Sequence, residues 1–196
     1  MRLVQEMNLR EGQVFSDSEI EDLARANVSR RCFDAALQFL SYRPRSESET
    51  MTRLRRRGFD DASIETTLAR LRELGLVDDL DFAKSWVENR ETFSPRSPRL
   101  LRLELRQKGI DAAVGDEIAL GIDEYSAAYR AAQRKARNIS FSDYRTFCGR
   151  LGSFLRRRGF SYEVTKHILD QLWQEHRSGE NSEAEHELHR ESLAPS

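Results

Sequence analysis

Two cysteines, four prolines and ten glycines in 196 residues leave little with which to staple or break a chain. Cys32 and Cys148 are far apart and form no C-x-x-C pair, so neither a disulfide framework nor a zinc site is expected. Both are read as reduced thiols in a core. Scarce proline and glycine leave room for long helices. No apolar run approaches the ~18 residues of a membrane span, and no signal-peptide pattern is present, so a cytoplasmic protein with no membrane partner is expected. Sustained β-branched alternation is missing, which excludes a sheet protein. Also absent are a phosphate-binding G-x-x-x-x-G-K-[ST] loop, G-x-G-x-x-G, H-E-x-x-H and G-x-S-x-G. The pair Asp78-Asp79 sits at a helix start, where aspartate caps the helix and suits its dipole. A non-enzyme with no cofactor and no metal site is expected.

What the chain has is charge and helix formers. Charged residues make up 33% and hydrophobic residues 38%, which suits small helical modules with thin cores. The net charge of −1 hides an asymmetry. Residues 1–27 carry three basic against six acidic side chains, and residues 177–196 carry two against five. The body, 28–176, has 27 against 22, a mild excess of +5. A polyanion or an acidic surface is the partner such a body suits.

One six-residue stretch recurs. Leu54-Arg55-Arg56-Arg57-Gly58-Phe59 returns unchanged at Leu155 to Phe160, with Leu105-Arg106-Gln107-Lys108-Gly109-Ile110 between them. The glycines are 51 and 50 residues apart, the mark of a tandem repeat. Each copy predicts a helix ending on basic residues, a left-handed glycine and an apolar residue that packs back on the leucine of the last turn. Leu54–Phe59, Leu105–Ile110 and Leu155–Phe160 are the predicted cap contacts.

The chain divides accordingly. Residues 1–27 form an N-terminal segment with a short helix entered through a Ser16/Glu19 capping box; it either continues or breaks near Asn27. Repeat one is 28–76. Its first helix shows Phe33, Ala36, Leu37 and Leu40 on one face and stops before Pro44. Ser46 and Glu49 make a second capping box, Met51 and Leu54 point inward, and Asp60 or Asp61 caps a third helix with Ile64, Leu68 and Leu71. Repeat two is 77–121, with Asp78 or Asp79 as N-cap and Phe82, Trp86 and Val87 inward. Ser97 then caps a helix that has Pro98 at its first position, Leu101 and Leu105 inward, followed by Val114 and Ile118. Repeat three is 122–176. It opens at Asp123 with the stripe Tyr125, Ala128, Tyr129, Ala132, Ala136. A second helix beginning near Ser142 shows Tyr144, Phe147, Leu151 and Phe154, and a third capped by Ser161 shows Val164, Ile168 and Leu172. Residues 177–196, poor in apolar side chains, are expected to be a disordered acidic tail. The fold class is all-α: three tandem three-helix repeats, each marginal alone, stacked into an elongated curved array.

These residues resemble a known family. Arg43-Pro44-Arg45-Ser46, the Gly-Phe/Ile helix stops and, most specifically, Gly75-Leu76-Val77-Asp78-Asp79-Leu80-Asp81-Phe82-Ala83 look like RecX, the bacterial regulator of the recombinase RecA. So does Pro98-Arg99 ahead of Glu104 to Ile110. The resemblance covers roughly residues 30–175. Ser97-Pro98 stands where the family often has Gly-Pro, and the N-terminal region is shorter than in many members. The resemblance implies a non-catalytic protein that binds RecA, lies along the groove of the RecA–DNA filament and limits filament growth, ATPase and strand exchange. A monomer, with weak direct DNA binding besides, completes that expectation.

The candidate partner-binding residues are Arg55, Arg56 and Arg57, Arg106 and Lys108, and Arg156, Arg157 and Arg158, with Arg96 and Arg99 at a helix entry. Cations in a last helical turn also complement the dipole by about 0.3–1 kcal/mol each, and arginine stems cover apolar surface, so each has a structural reading too. Recurrence once per repeat favours a stripe suited to a long polyanionic filament. Two rivals stand beside this. A helix-turn-helix protein reading DNA directly is opposed by the third helix of repeat two, which has Asp116 and Glu117 where a groove reader carries basic or amide side chains. A generic helical-repeat adaptor predicts binding that survives reversal of the arginine clusters.

Overall fold

The structure, a computed structural model, describes residues 15–139 and 143–192, with side chains described as far as Ser178. Among these residues there are nine helices and no strand. They are α1 (Asp17–Leu40), α2 (Glu47–Arg56), α3 (Asp61–Glu73), α4 (Asp79–Phe93), α5 (Pro98–Gln107), α6 (Ala112–Leu120), α7 (Glu124–Ala136), α8 (Tyr144–Arg157) and α9 (Tyr162–Ser192). The described residues gather into two compact units. One holds those up to Phe82 together with Lys108–Ile110; the other holds Ala83–Gln107 and those from Asp111 onward.

The helix boundaries follow from side-chain chemistry. Ser16 and Glu19 form the reciprocal capping box, and α1 runs unbroken through Asn27. Asp60, Asp111 and Asp123 cap α3, α6 and α7 by accepting backbone N–H bonds. At the head of α4 it is Asp78 that does this, taking the Leu80 and Asp81 amides. Ser97 caps α5 through the Leu100 amide, and Ser161 caps α9 through the Val164 amide. The expected entry at Ser142 lies outside the described residues; Asp143 caps the helix that begins at Tyr144.

The helix stops take the form the repeat predicts. Gly58 and Gly159 have φ of 84° and 86°, where a Cβ would clash with the following carbonyl. The Gly58 amide donates to the Arg55 carbonyl at 2.9 Å and the Phe59 amide to the Leu54 carbonyl at 3.4 Å. The Gly159 and Phe160 amides repeat this with Arg156 at 2.9 Å and Leu155 at 3.3 Å. These are the two bonds of a Schellman cap. Leu71, Gly75 and Leu76 close α3 in the same way.

The core of the first unit is Leu54, Ile64, Leu68, Leu71 and Val77 packed with Cys32, Ala35 and Ala36 of α1. In the second unit α7, α8 and α9 surround Phe147, Leu151, Leu155, Ile168 and the alanines of α7. Three expectations are corrected here. Leu37 is 37% exposed, and the buried face of α1 is turned toward Cys32, Ala35 and Ala36. Small side chains let α1 approach α3 closely, and that contact outranks the burial of a larger leucine. Tyr125 and Tyr144 are also exposed; alanines fill the interior of α7, and Tyr144 sends its hydroxyl to Asp170 at 2.6 Å. The Ser46/Glu49 box is half formed. Ser46 accepts the Glu49 amide, but the Glu49 carboxylate turns away to Arg43 and Lys108. Beyond His176, where the sequence reading began its tail, the backbone of α9 stays helical to Ser192.

Candidate functional site

The ten basic candidates fall into distinct environments. The third basic position of the recurring stretch is structural in two of its three copies. The Lys108 ammonium meets Glu49 at 2.6 Å, and the hydroxyl of Ser46 donates to the Lys108 carbonyl at 2.6 Å. Arg158 repeats the arrangement one module later. Its guanidinium donates to the Ser94 hydroxyl and the Pro95 carbonyl, both at 2.9 Å, and lies 4.5 Å from the centre of the Phe154 ring. Its carbonyl accepts from the Ser97 amide at 3.0 Å. In both places the N-cap serine of one repeat's second helix grips the helix stop of the next repeat. A Cβ on Gly109 would come within 2.2 Å of Ser48, and one on Gly159 within 2.5 Å of Ser97. The glycines therefore serve the joint as well as the turn. Burial disfavours ionisation of Glu49, but its bonds to Arg43 and Lys108 outweigh this and hold its carboxyl below the usual range.

Arg96 is also held internally. Glu104, 8% exposed on α5, pairs with Arg96 and, at 2.9 Å, with Arg90, and accepts the Trp86 indole N–H at 2.9 Å. Arg90 stacks over the Trp86 ring. Burial, then the neighbouring Arg90 and Arg158, lower the pKa of Arg96. A buried carboxylate is tolerated here because cations and an N–H donor surround it.

Asp79 extends the pattern of joints. It accepts the Glu47 amide at 2.8 Å, so it binds the N-terminus of α2 from the head of α4. Burial raises its pKa, against the lowering effect of that bond.

The remaining candidates face solvent. Arg55 pairs with Asp61 at 2.8 Å, Arg57 touches Gln38, and Arg56 is exposed. Arg99, Arg106, Arg156 and Arg157 come together in the second unit around one groove of about 510 Å³. Its floor is Leu100, Leu103 and Phe160. No acidic side chain lines it, although Arg102 on its wall reaches Asp116 at 3.0 Å. Among the described residues Arg99, Arg106 and Arg157 have no carboxylate partner. Arg102 is the groove residue that the sequence reading missed. Its signal was present: Arg99, Arg102 and Arg106 stand at i, i+3 and i+7, one helical face.

A cationic, open groove on an all-α repeat scaffold has relatives. Family models for RecX match residues 32–71 (first three-helix domain), 78–117 (second) and 122–169 (third). The chain belongs to the RecX family. It is 37% identical to the Regulatory protein RecX of Chlorobium phaeobacteroides, over 74% of this chain and 95% of that one. It is 33% identical to that of Geobacillus thermodenitrificans, over 82% of this chain, and spans 61% of that protein's length. A crystal structure of RecX from Lactobacillus salivarius matches with TM-score 0.64 and 26% identity, covering 75% of this chain and 97% of the other. A second RecX crystal structure matches with TM-score 0.67 and 26% identity, over 86% and 85%. RecX relatives carry the name of a regulatory protein, and a regulatory role is the one this chain shares. Among the described residues no group of His, Cys, Asp and Glu is placed to hold a metal ion, and no helix is long and apolar enough to cross a membrane.

Proposed function

We propose that this chain regulates the RecA recombinase without catalysis. It binds RecA and the RecA–DNA filament and limits filament growth, ATPase and strand exchange in DNA repair and recombination. It acts in the cytoplasm as a monomer, through repeats bounded at 28–76, 77–121 and 122–176. Membership of the RecX family carries this reading. The arginine groove supports it, since clustered, unneutralised guanidinium groups suit a polyanionic or acidic partner. Arg99, Arg106, Arg156 and Arg157 are the contact residues of choice, with Arg55 and Arg56 on the first unit. Arg96, Lys108 and Arg158 support the scaffold that presents them.

The test uses purified components. Saturating amounts of the chain should lower RecA ATPase on single-stranded DNA and shorten filaments seen by electron microscopy; no change in either would sink the reading. Exchanging Arg106 and Arg157 together for glutamate should raise the half-inhibitory concentration about tenfold or more, roughly 1.4 kcal/mol, with thermal stability retained.

A further inference from the structure

Between α8 and α9 lies a second opening, of about 370 Å³, lined by Gly149, Gly152, Thr165 and Leu169, by Tyr144 and Tyr162, and by the charged Lys166 and Asp170, whose carboxylate holds the Tyr144 hydroxyl. The two glycines make it. A Cβ on Gly149 would meet nothing within 4 Å, so open space lies where a side chain would otherwise stand. Thr165 is 4% exposed, and its hydroxyl has no hydrogen-bond partner among the described residues. Arg156 lines both this pocket and the arginine groove, so the two are parts of one surface.

We infer that this surface is a two-part docking site for an acidic protein segment. Carboxylates of the segment lie on Arg99, Arg106 and Arg157, and one bulky apolar side chain enters the α8–α9 pocket. Arg156 sits at the junction of the two parts. Charge complementarity sets the anionic character. Three features favour a protein segment over nucleic acid. The net charge of the chain is −1, unlike the strong positive charge of most nucleic-acid-binding domains. Among the arginines themselves no aromatic ring is exposed for base stacking, since Phe160 is 4% exposed; the exposed rings, Tyr144 and Tyr162, stand at the pocket assigned to the apolar side chain. Leu103, 47% exposed among the arginines, offers aliphatic contact that a phosphate backbone does not use. The inference rests on the RecA reading for the partner's identity only; the chemistry of the site stands apart from it.

The test is fluorescence anisotropy with the full chain and a short labelled peptide in which aspartates and glutamates flank one phenylalanine. Binding should weaken on the order of tenfold in Arg156→Glu and again in Gly149→Leu, which fills the pocket from a helix position that accepts a leucine. Replacing the peptide's phenylalanine by alanine should weaken wild type but not Gly149→Leu. No peptide binding, or binding indifferent to both variants, overturns the inference. So does tighter binding of an oligothymidylate that Gly149→Leu abolishes, which would assign the pocket to a base. RecA ATPase separates the two readings. No peptide binding by the wild-type chain with RecA inhibition intact defeats this inference alone, whereas peptide binding without any effect on RecA defeats the proposed function alone.

Discussion

The same six residues, Leu-Arg-Arg-Arg-Gly-Phe, stand at 54–59 and at 155–160, and they do different work. Their backbones are nearly superposable: both glycines are left-handed and both stops make the same pair of hydrogen bonds. Their surroundings are not. Around Gly58 there is open space, and Arg57 reaches only Gln38 on α1. Around Gly159 the chain of the preceding repeat closes in, and Arg158 is held by Ser94, Pro95 and the Phe154 ring. Among the described residues no earlier repeat receives the helix stop of repeat one. A motif in an array thus takes its local form from its own letters and its role from its neighbour.

That contrast can be broken at its strongest point first. Gly159→Ala must place a Cβ at φ 86° and 2.8 Å from the Leu100 Cβ, so a loss of about 3 kcal/mol is expected. Gly58→Ala meets the conformational cost alone, about 1–2 kcal/mol. Urea denaturation of the two variants side by side checks this; equal losses would mean the joint contributes nothing. The arginines give the next difference. Arg158→Ala removes two hydrogen bonds and a ring contact and should cost about 1–3 kcal/mol, while Arg57→Ala should stay within about 0.5 kcal/mol. A smaller effect than that of Arg158 belongs to Glu49, which binds Lys108 in the middle copy. Glu49→Gln should cost about 1 kcal/mol at neutral pH. Because the folded carboxyl titrates below its unfolded value of about 4.3, its contribution is complete above that pH and fades as pH falls through the folded value. Thermal melts of wild type and variant should therefore converge in acid.

What the sequence made legible and what it hid divide along the same line. Helix stops, N-caps and inward leucines are set by residues a few positions apart, and reading Leu54, Gly58 and Phe59 in order was enough to place a Schellman cap. The joints link residues about sixty apart, so nothing in Lys108 or Arg158 distinguishes them from the solvent-facing Arg56. The capping-box reading at Ser46 failed for that reason. Glu49 had the right spacing, but Lys108 offered its carboxylate a charged partner that no local pattern announces. Cys32 and Ala36 were legible as core, but the burial of Ala35 in place of Leu37 was hidden, since hydrophobic periodicity weights size whereas helix approach rewards smallness. Nothing near Glu104 in sequence marks it as buried; Trp86, Arg90 and Arg96 converge on it only in the fold.

The serine grips also impose an order on synthesis. Ser46 and Glu49 find their partner in Lys108, and Ser94 and Ser97 find theirs in Arg158, 59 to 64 residues later in the chain. A ribosome making this protein releases each second helix well before the helix stop that will hold it. The entry to α2 stays unlatched until Asp79, and then Lys108, leave the exit tunnel. Each serine grip can therefore close only one module behind the growing end.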